Sequence, residues 1–179
     1  MKVVGIDIGT SLGWAVVEGS KVLESGQIDL HPHSWEGIGM RGVRASQAVV
    51  KLLDRHPGAV VAIELVRRHA GTQAAQVYGG ILLSVTSACE EACAAYTFVS
   101  VQEAKLAATD NGAAEKDDMV AAALKVFGIT AEKDEADAIW IGTAALRREG
   151  DPTRVPEEAA GDRAKRKAKE RRQAAKAAA

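Results

Sequence analysis

The hydrophobic pattern of this chain changes period several times, and each change predicts a new element. Residues 1–8 are mostly apolar and β-branched and stop at Gly9-Thr10-Ser11. Residues 12–18 have the same character, and 21–30 follow after a Gly19-Ser20 turn. Three strands so close together predict an antiparallel meander. His31-Pro32-His33-Ser34 breaks the pattern. Over 38–55, Ala45, Ala48, Val49, Leu52 and Leu53 recur at helical spacing, which predicts an amphipathic helix closed by Pro57-Gly58. Residues 59–65 form a continuous apolar run, the pattern of a strand buried on both faces.

The stretch 71–95 is rich in small residues and free of proline, predicting one long helix or two in tandem. A strand follows over 96–101, then a loop at Thr109-Asp110-Asn111-Gly112. Val120, Ala123, Leu124 and Phe127 share one face of a helix over 116–127, and a last helix covers 133–148. The order β-β-β-α-β-α-β-α-α predicts an α/β fold: a mixed five-stranded sheet, meander plus parallel strands, flanked by helices.

Composition bounds this picture. With 179 residues and 47% hydrophobic side chains, one domain can bury a core, and wholesale disorder is excluded. No apolar run approaches the ~18 residues of a membrane span, so no membrane partner is expected. The first residues read as a strand rather than a secretory leader, and two cysteines make no disulfide framework. A cytoplasmic location is the expectation.

Charge changes the picture more. The net −1 averages two unlike pieces: residues 162–179 hold eight Lys/Arg against Asp162 and Glu170, a balance of +6, which leaves −7 for 1–161. The expected organisation is a domain over 1–149 and a linker with a basic tail over 150–179. Such a tail suits phosphate contacts without sequence preference.

Acids stand where a core should be. Asp7 lies inside an apolar strand and Glu64 near the end of another. An ionised carboxylate without a partner is expensive in a buried strand. Asp134 and Asp137, at i and i+3, project from one helix face that continues through Ala138 and Ile141. Taken singly, Asp134 reads as a helix cap and Glu64 as a partner of Arg67 or Arg68. Taken together, four carboxylates at a sheet edge suit hard, oxygen-preferring Mg²⁺ or Mn²⁺. Two such ions, about 3.5–4 Å apart, promote phosphodiester hydrolysis.

In that order, the residues resemble the RuvC family of Holliday-junction resolvases, within the RNase H-like superfamily. Asp7-Ile8-Gly9-Thr10-Ser11-Leu12-Gly13-Trp14 is similar to the family's Asp-Pro-Gly-x-x-x-Gly-aromatic. Glu64 ends the fourth strand as the family's Glu does. Lys105 and Lys116 stand eleven apart around a family-like loop, and Asp134-Glu135-Ala136-Asp137-Ala138 matches Asp-x-x-Asp-Ala. The resemblance spans about residues 1–148 and implies an RNase H-like fold and a homodimer that cuts four-way DNA junctions, leaving 5′-phosphate and 3′-hydroxyl ends. It implies metal ligation by Asp7, Glu64, Asp134 and Asp137, with two ions per site. Lys116 would sit near the scissile phosphate, and Lys105, Arg67, Arg68, Thr10 and Ser11 would contact DNA. No nucleotide cofactor is implied.

Departures from the family are specific. The family's Phe after the Glu is missing from Leu65-Val66-Arg67-Arg68-His69, where Arg67, Arg68 or His69 would replace it by stacking or phosphate contact. Ile8 replaces a Pro and Asp110 a Gly. These changes point to a divergent, phage-type member with looser specificity for branched DNA. An RNase H-like nuclease in RNA processing and a non-catalytic recombination scaffold are the alternatives. The actin-like ATPase phosphate loop that Gly5–Ser11 also resembles needs a second domain and phosphate motif, for which the chain is too short. Cys89 and Cys93 read as small buried hydrophobes, Trp14 and Trp140 as core anchors, and His31, His33 and Trp35 as a solvated loop.

Overall fold

The computed structural model describes residues 1–148. The linker and basic tail expected over 150–179 lie outside the described residues. The elements are β1 (Lys2–Ile8), β2 (Ser11–Glu18), β3 (Lys21–Asp29), α1 (Met40–Arg55), β4 (Val60–Leu65), α2 (Thr72–Glu91), β5 (Tyr96–Ser100), α3 (Val101–Thr109), α4 (Lys116–Phe127) and α5 (Lys133–Arg147). The sheet order is β3-β2-β1-β4-β5. β1, β2 and β3 are antiparallel neighbours, while β1–β4 and β4–β5 are parallel. The expected mixed five-stranded sheet is therefore present.

Strand alternation divides the core into two layers. Val4, Ile6 and Ile8 of β1 join Val61 and Ile63 of β4 beneath α1 and α2. Val3, Ala15, Val17, Ala62 and Val99 face the other way, onto α3, α4 and α5. By the same alternation Asp7 and Glu64 belong to the second face, the one that α5 covers.

The structure adds one helix to the sequence reading. α3 has only nine residues, too short for a legible hydrophobic period, and its start is set by a capping box. The Ser100 hydroxyl accepts from the Glu103 N–H at 3.3 Å, and Glu103 Oε2 accepts from the Ser100 N–H at 2.8 Å. Asp110 then caps the helix at φ 56°, the left-handed conformation that glycine favours.

Two further expectations are revised. α2 is a single helix that ends at Glu91, so Cys93 falls past it, at φ 50°, and is exposed. Only Cys89 is the buried hydrophobe expected. Trp140 is a fully buried anchor whose indole N–H donates to the Met119 carbonyl at 3.0 Å, whereas Trp14 is only partly buried against the α1/α2 layer.

α5 lies very close to the sheet because two glycines face it. A Cβ on Gly5 would come 2.1 Å from the Ala138 carbonyl oxygen, and one on Gly13 would come 1.9 Å from that of Asp134. Gly13 pairs directly with Asp7 across β1 and β2. The missing side chain at Gly13 thus lets the first turn of α5 rest beside Asp7.

Candidate active site

Each acid reaches the site by a different local rule. Asp7 arrives by strand alternation and is 6% exposed. Glu64 lies one residue past the parallel pair Ile6↔Ile63, which brings it alongside Asp7. Asp134 and Asp137 occupy the first two turns of α5. The cap of that helix is Glu132, in a capping box with Glu135, so Asp134 is not spent on capping. Ser25 donates to Glu135 Oε1 at 2.6 Å and ties this helix start to β3.

Carboxylate oxygens of Asp7, Asp134 and Asp137 lie within 4.8 Å of one another. Glu64 stands outside that group of three, close enough for its charge to bear on Asp7. The Lys116 Nζ, from the first residue of α4, lies 2.8 Å from Asp134 Oδ1 and 3.0 Å from Asp137 Oδ2. Five residues that are up to 130 positions apart in sequence thus form one cluster.

Electrostatics follow from crowding. Burial holds the Asp7 carboxyl well above its ordinary proton affinity, and the charges of Glu64, Asp137 and Asp134 push it the same way. Burial also raises Glu64. Asp137 is raised by burial against the pull of Lys116. Burial would lower the Lys116 ammonium, but hydrogen bonds to Asp134 and Asp137 win and hold it above its usual range. Oxygen-only donors at this spacing, short of positive charge, fit a hard divalent cation.

The remaining expected contacts sit around this centre. The Lys105 charge on α3 bears on Glu64 and Asp137, opposing in part the rise that burial causes in both. Thr10 is exposed and Ser11 half-buried in the turn after Asp7; Arg67 and Arg68 are exposed beyond β4. Tyr78 of α2, which the sequence did not single out, clamps the end of β4. Its hydroxyl donates to the Glu64 carbonyl at 2.7 Å and accepts from the Val66 N–H at 3.2 Å. A tyrosine among the apolar positions of α2 was the one available signal, since a buried hydroxyl needs partners.

No protein-family model and no curated protein matches the sequence. Solved structures do match. RuvC of T. thermophilus in complex with Holliday junction substrate superposes at TM-score 0.71 and 25% identity, over 82% of this chain and 93% of that one. The chain is a divergent RuvC-like protein. A second Thermus thermophilus RuvC structure matches at TM-score 0.67 and 26% identity, with the same coverage. The yeast mitochondrial Holliday junction resolvase Ydc2 shares the fold at TM-score 0.55 and 16% identity, over 79% of this chain and 76% of that one. The RuvC-like, RNase H-like sheet explains why the acids cluster at one end of β1 and β4. Among the described residues, no helix is long and apolar enough to cross a membrane.

Proposed function

We propose that this chain is an endodeoxyribonuclease that resolves four-way DNA junctions and related branched DNA by metal-dependent phosphodiester hydrolysis. The observation that carries the reading is the convergence of Asp7, Asp134 and Asp137 on a RuvC-like sheet. Asp7, Glu64, Asp134 and Asp137 would hold two Mg²⁺ or Mn²⁺ ions, which supply Lewis acidity and lower the proton affinity of water.

The side chains divide the remaining work. Water attacks phosphorus, the P–O3′ bond breaks, and the departing oxygen leaves as the 3′-hydroxyl beside a 5′-phosphate. Lys116 holds a fixed positive charge beside the acids, where phosphoryl charge grows during attack. Lys105, Thr10, Ser11, Arg67 and Arg68 bind the sugar–phosphate backbone and set its register. A second copy of the chain supplies the matching site, so that the homodimer nicks two strands of one junction.

Labelled junction, flap, duplex and RNA–DNA hybrid incubated side by side in Mg²⁺ test the reading. The expected result is paired nicks in the junction, with ends that a ligase reseals. Asp137→Asn should keep junction affinity and cut about 100-fold more slowly or worse, since losing even an outer partner of a metal ligand costs about 10–100-fold. Preference for the hybrid would move the function to RNA processing. Failure to cut any branched substrate in Mg²⁺ or Mn²⁺ would leave a DNA-binding scaffold.

A further inference from the structure

Between the segment leading into α1 and the first turns of α2 lies a cavity of about 430 Å³, within the usual size of small-ligand sites, roughly 300–1,000 Å³. One side is Gly9 and Thr10, the turn that follows the Asp7 strand. Tyr78, which clamps the Glu64 carbonyl, lines it as well. The cavity therefore adjoins the ends of β1 and β4 that carry Asp7 and Glu64, on the α1/α2 side of the sheet, and holds none of the acids.

Its lining is mixed in a specific way. Ile38, Val77 and Ile81 are apolar, while Arg41 and Gln73 are polar. The Arg41 Nε is buried with no hydrogen-bond partner among the described residues. A buried guanidinium N–H without an acceptor is costly, and a ligand that brings one relieves the cost. The segment between β3 and α1 is held in place by hydrogen bonds. Arg44 donates to the His31 carbonyl and to Glu36 Oε2, each at 2.6 Å, and the Leu30 N–H donates to the Thr10 carbonyl at 3.2 Å.

The substrate supplies an occupant of matching chemistry. A base that leaves the stack at a crossover has two apolar faces and an acceptor-bearing edge. Beyond Glu64, residues 65–69 hold no Phe, Tyr or Trp on which that base can stack, and the His69 ring already packs on Tyr78 at 4.8 Å. Resting on the junction-resolving reading above, we propose that this cavity receives an unstacked nucleobase of the junction strand beside the cut. Arg41 donates to the edge of the base, and Ile38, Val77 and Ile81 cover its faces.

The full chain is titrated, in Ca²⁺ so that cleavage is suppressed, into junctions carrying 2-aminopurine at nucleotides flanking the crossover. Wild type should raise the fluorescence at one of these positions, the sign of unstacking. Arg41→Met should abolish the rise and weaken junction binding about tenfold, leaving duplex binding unchanged. Ala74→Phe, at an exposed position that lines the same cavity, fills it without touching the core and should do the same. Fluorescence and affinity equal to wild type in both variants would overturn the proposal. So would a change in sedimentation with unaltered fluorescence, which would give the cavity to a second copy of the chain. If wild type cuts junctions and the variants behave like it, only the base pocket fails. If wild type does not bind junctions, the functional reading fails and takes the pocket with it.

Discussion

Asp7 is buried in the central strand, and burial together with Glu64, Asp137 and Asp134 raises its proton affinity. Its pKa is higher folded than unfolded, so the folded chain binds the extra proton. Stability linked to Asp7 is therefore complete below the unfolded value near 3.8 and is lost as pH rises through the folded value. Asp7→Asn carries no such penalty. In EDTA, the variant should melt at a higher temperature than wild type at pH 8, and the gap should close by about pH 4, as read by thermal unfolding. Mn²⁺ should raise the melting temperature of wild type and have little effect on the variant. A variant less stable than wild type at pH 8 would mean that the acids are not mutually repulsive. At this scale the acids were legible, because a charge inside an apolar run has few structural explanations. Tyr78 and Arg41 were not: each looks ordinary in its helix, and what distinguishes it is a partner, or a missing one, supplied by another element.

The first turn of α5 shows how an element carries the site. Its capping box and the Ser25–Glu135 bond set where the helix begins, and Gly13 lets it settle onto β2 beside Asp7. A methyl group at Gly13 would collide with the Asp134 carbonyl, so the helix start must move. Gly13→Ala should therefore slow junction cleavage about 100-fold, the scale of loss from a displacement near 1 Å. Circular dichroism should show the fold retained. Activity close to wild type would show that the helix start tolerates the shift. Gly13 was visible in the sequence as part of a motif, but its reason was not, since the clash involves backbone 121 residues away. α3 was hidden for the opposite reason. Its signal, Ser100 with Glu103 three residues on, was local and present, but nine residues carry no period to support it.

Over the whole molecule, charge is divided by position. The acids of the RuvC-like domain gather at one end of the sheet, while residues 162–179 carry a balance of +6. If the basic residues meet DNA, truncation after Glu158 should weaken junction binding. It should also make the dependence of log K on log salt shallower, by roughly 0.9 for each phosphate contact removed. Equal affinity and slope in the two forms would exclude that role. The sequence by itself determined the strands and four of the five helices, because hydrophobic period is a property of neighbours along the chain. It also determined which acids were out of place. Their meeting was decided by tertiary structure. Asp7 and Glu64 come together through a parallel register, and Asp134 and Asp137 through a helix lying on a glycine. Register and close approach depend on distant residues, so no local pattern contains them.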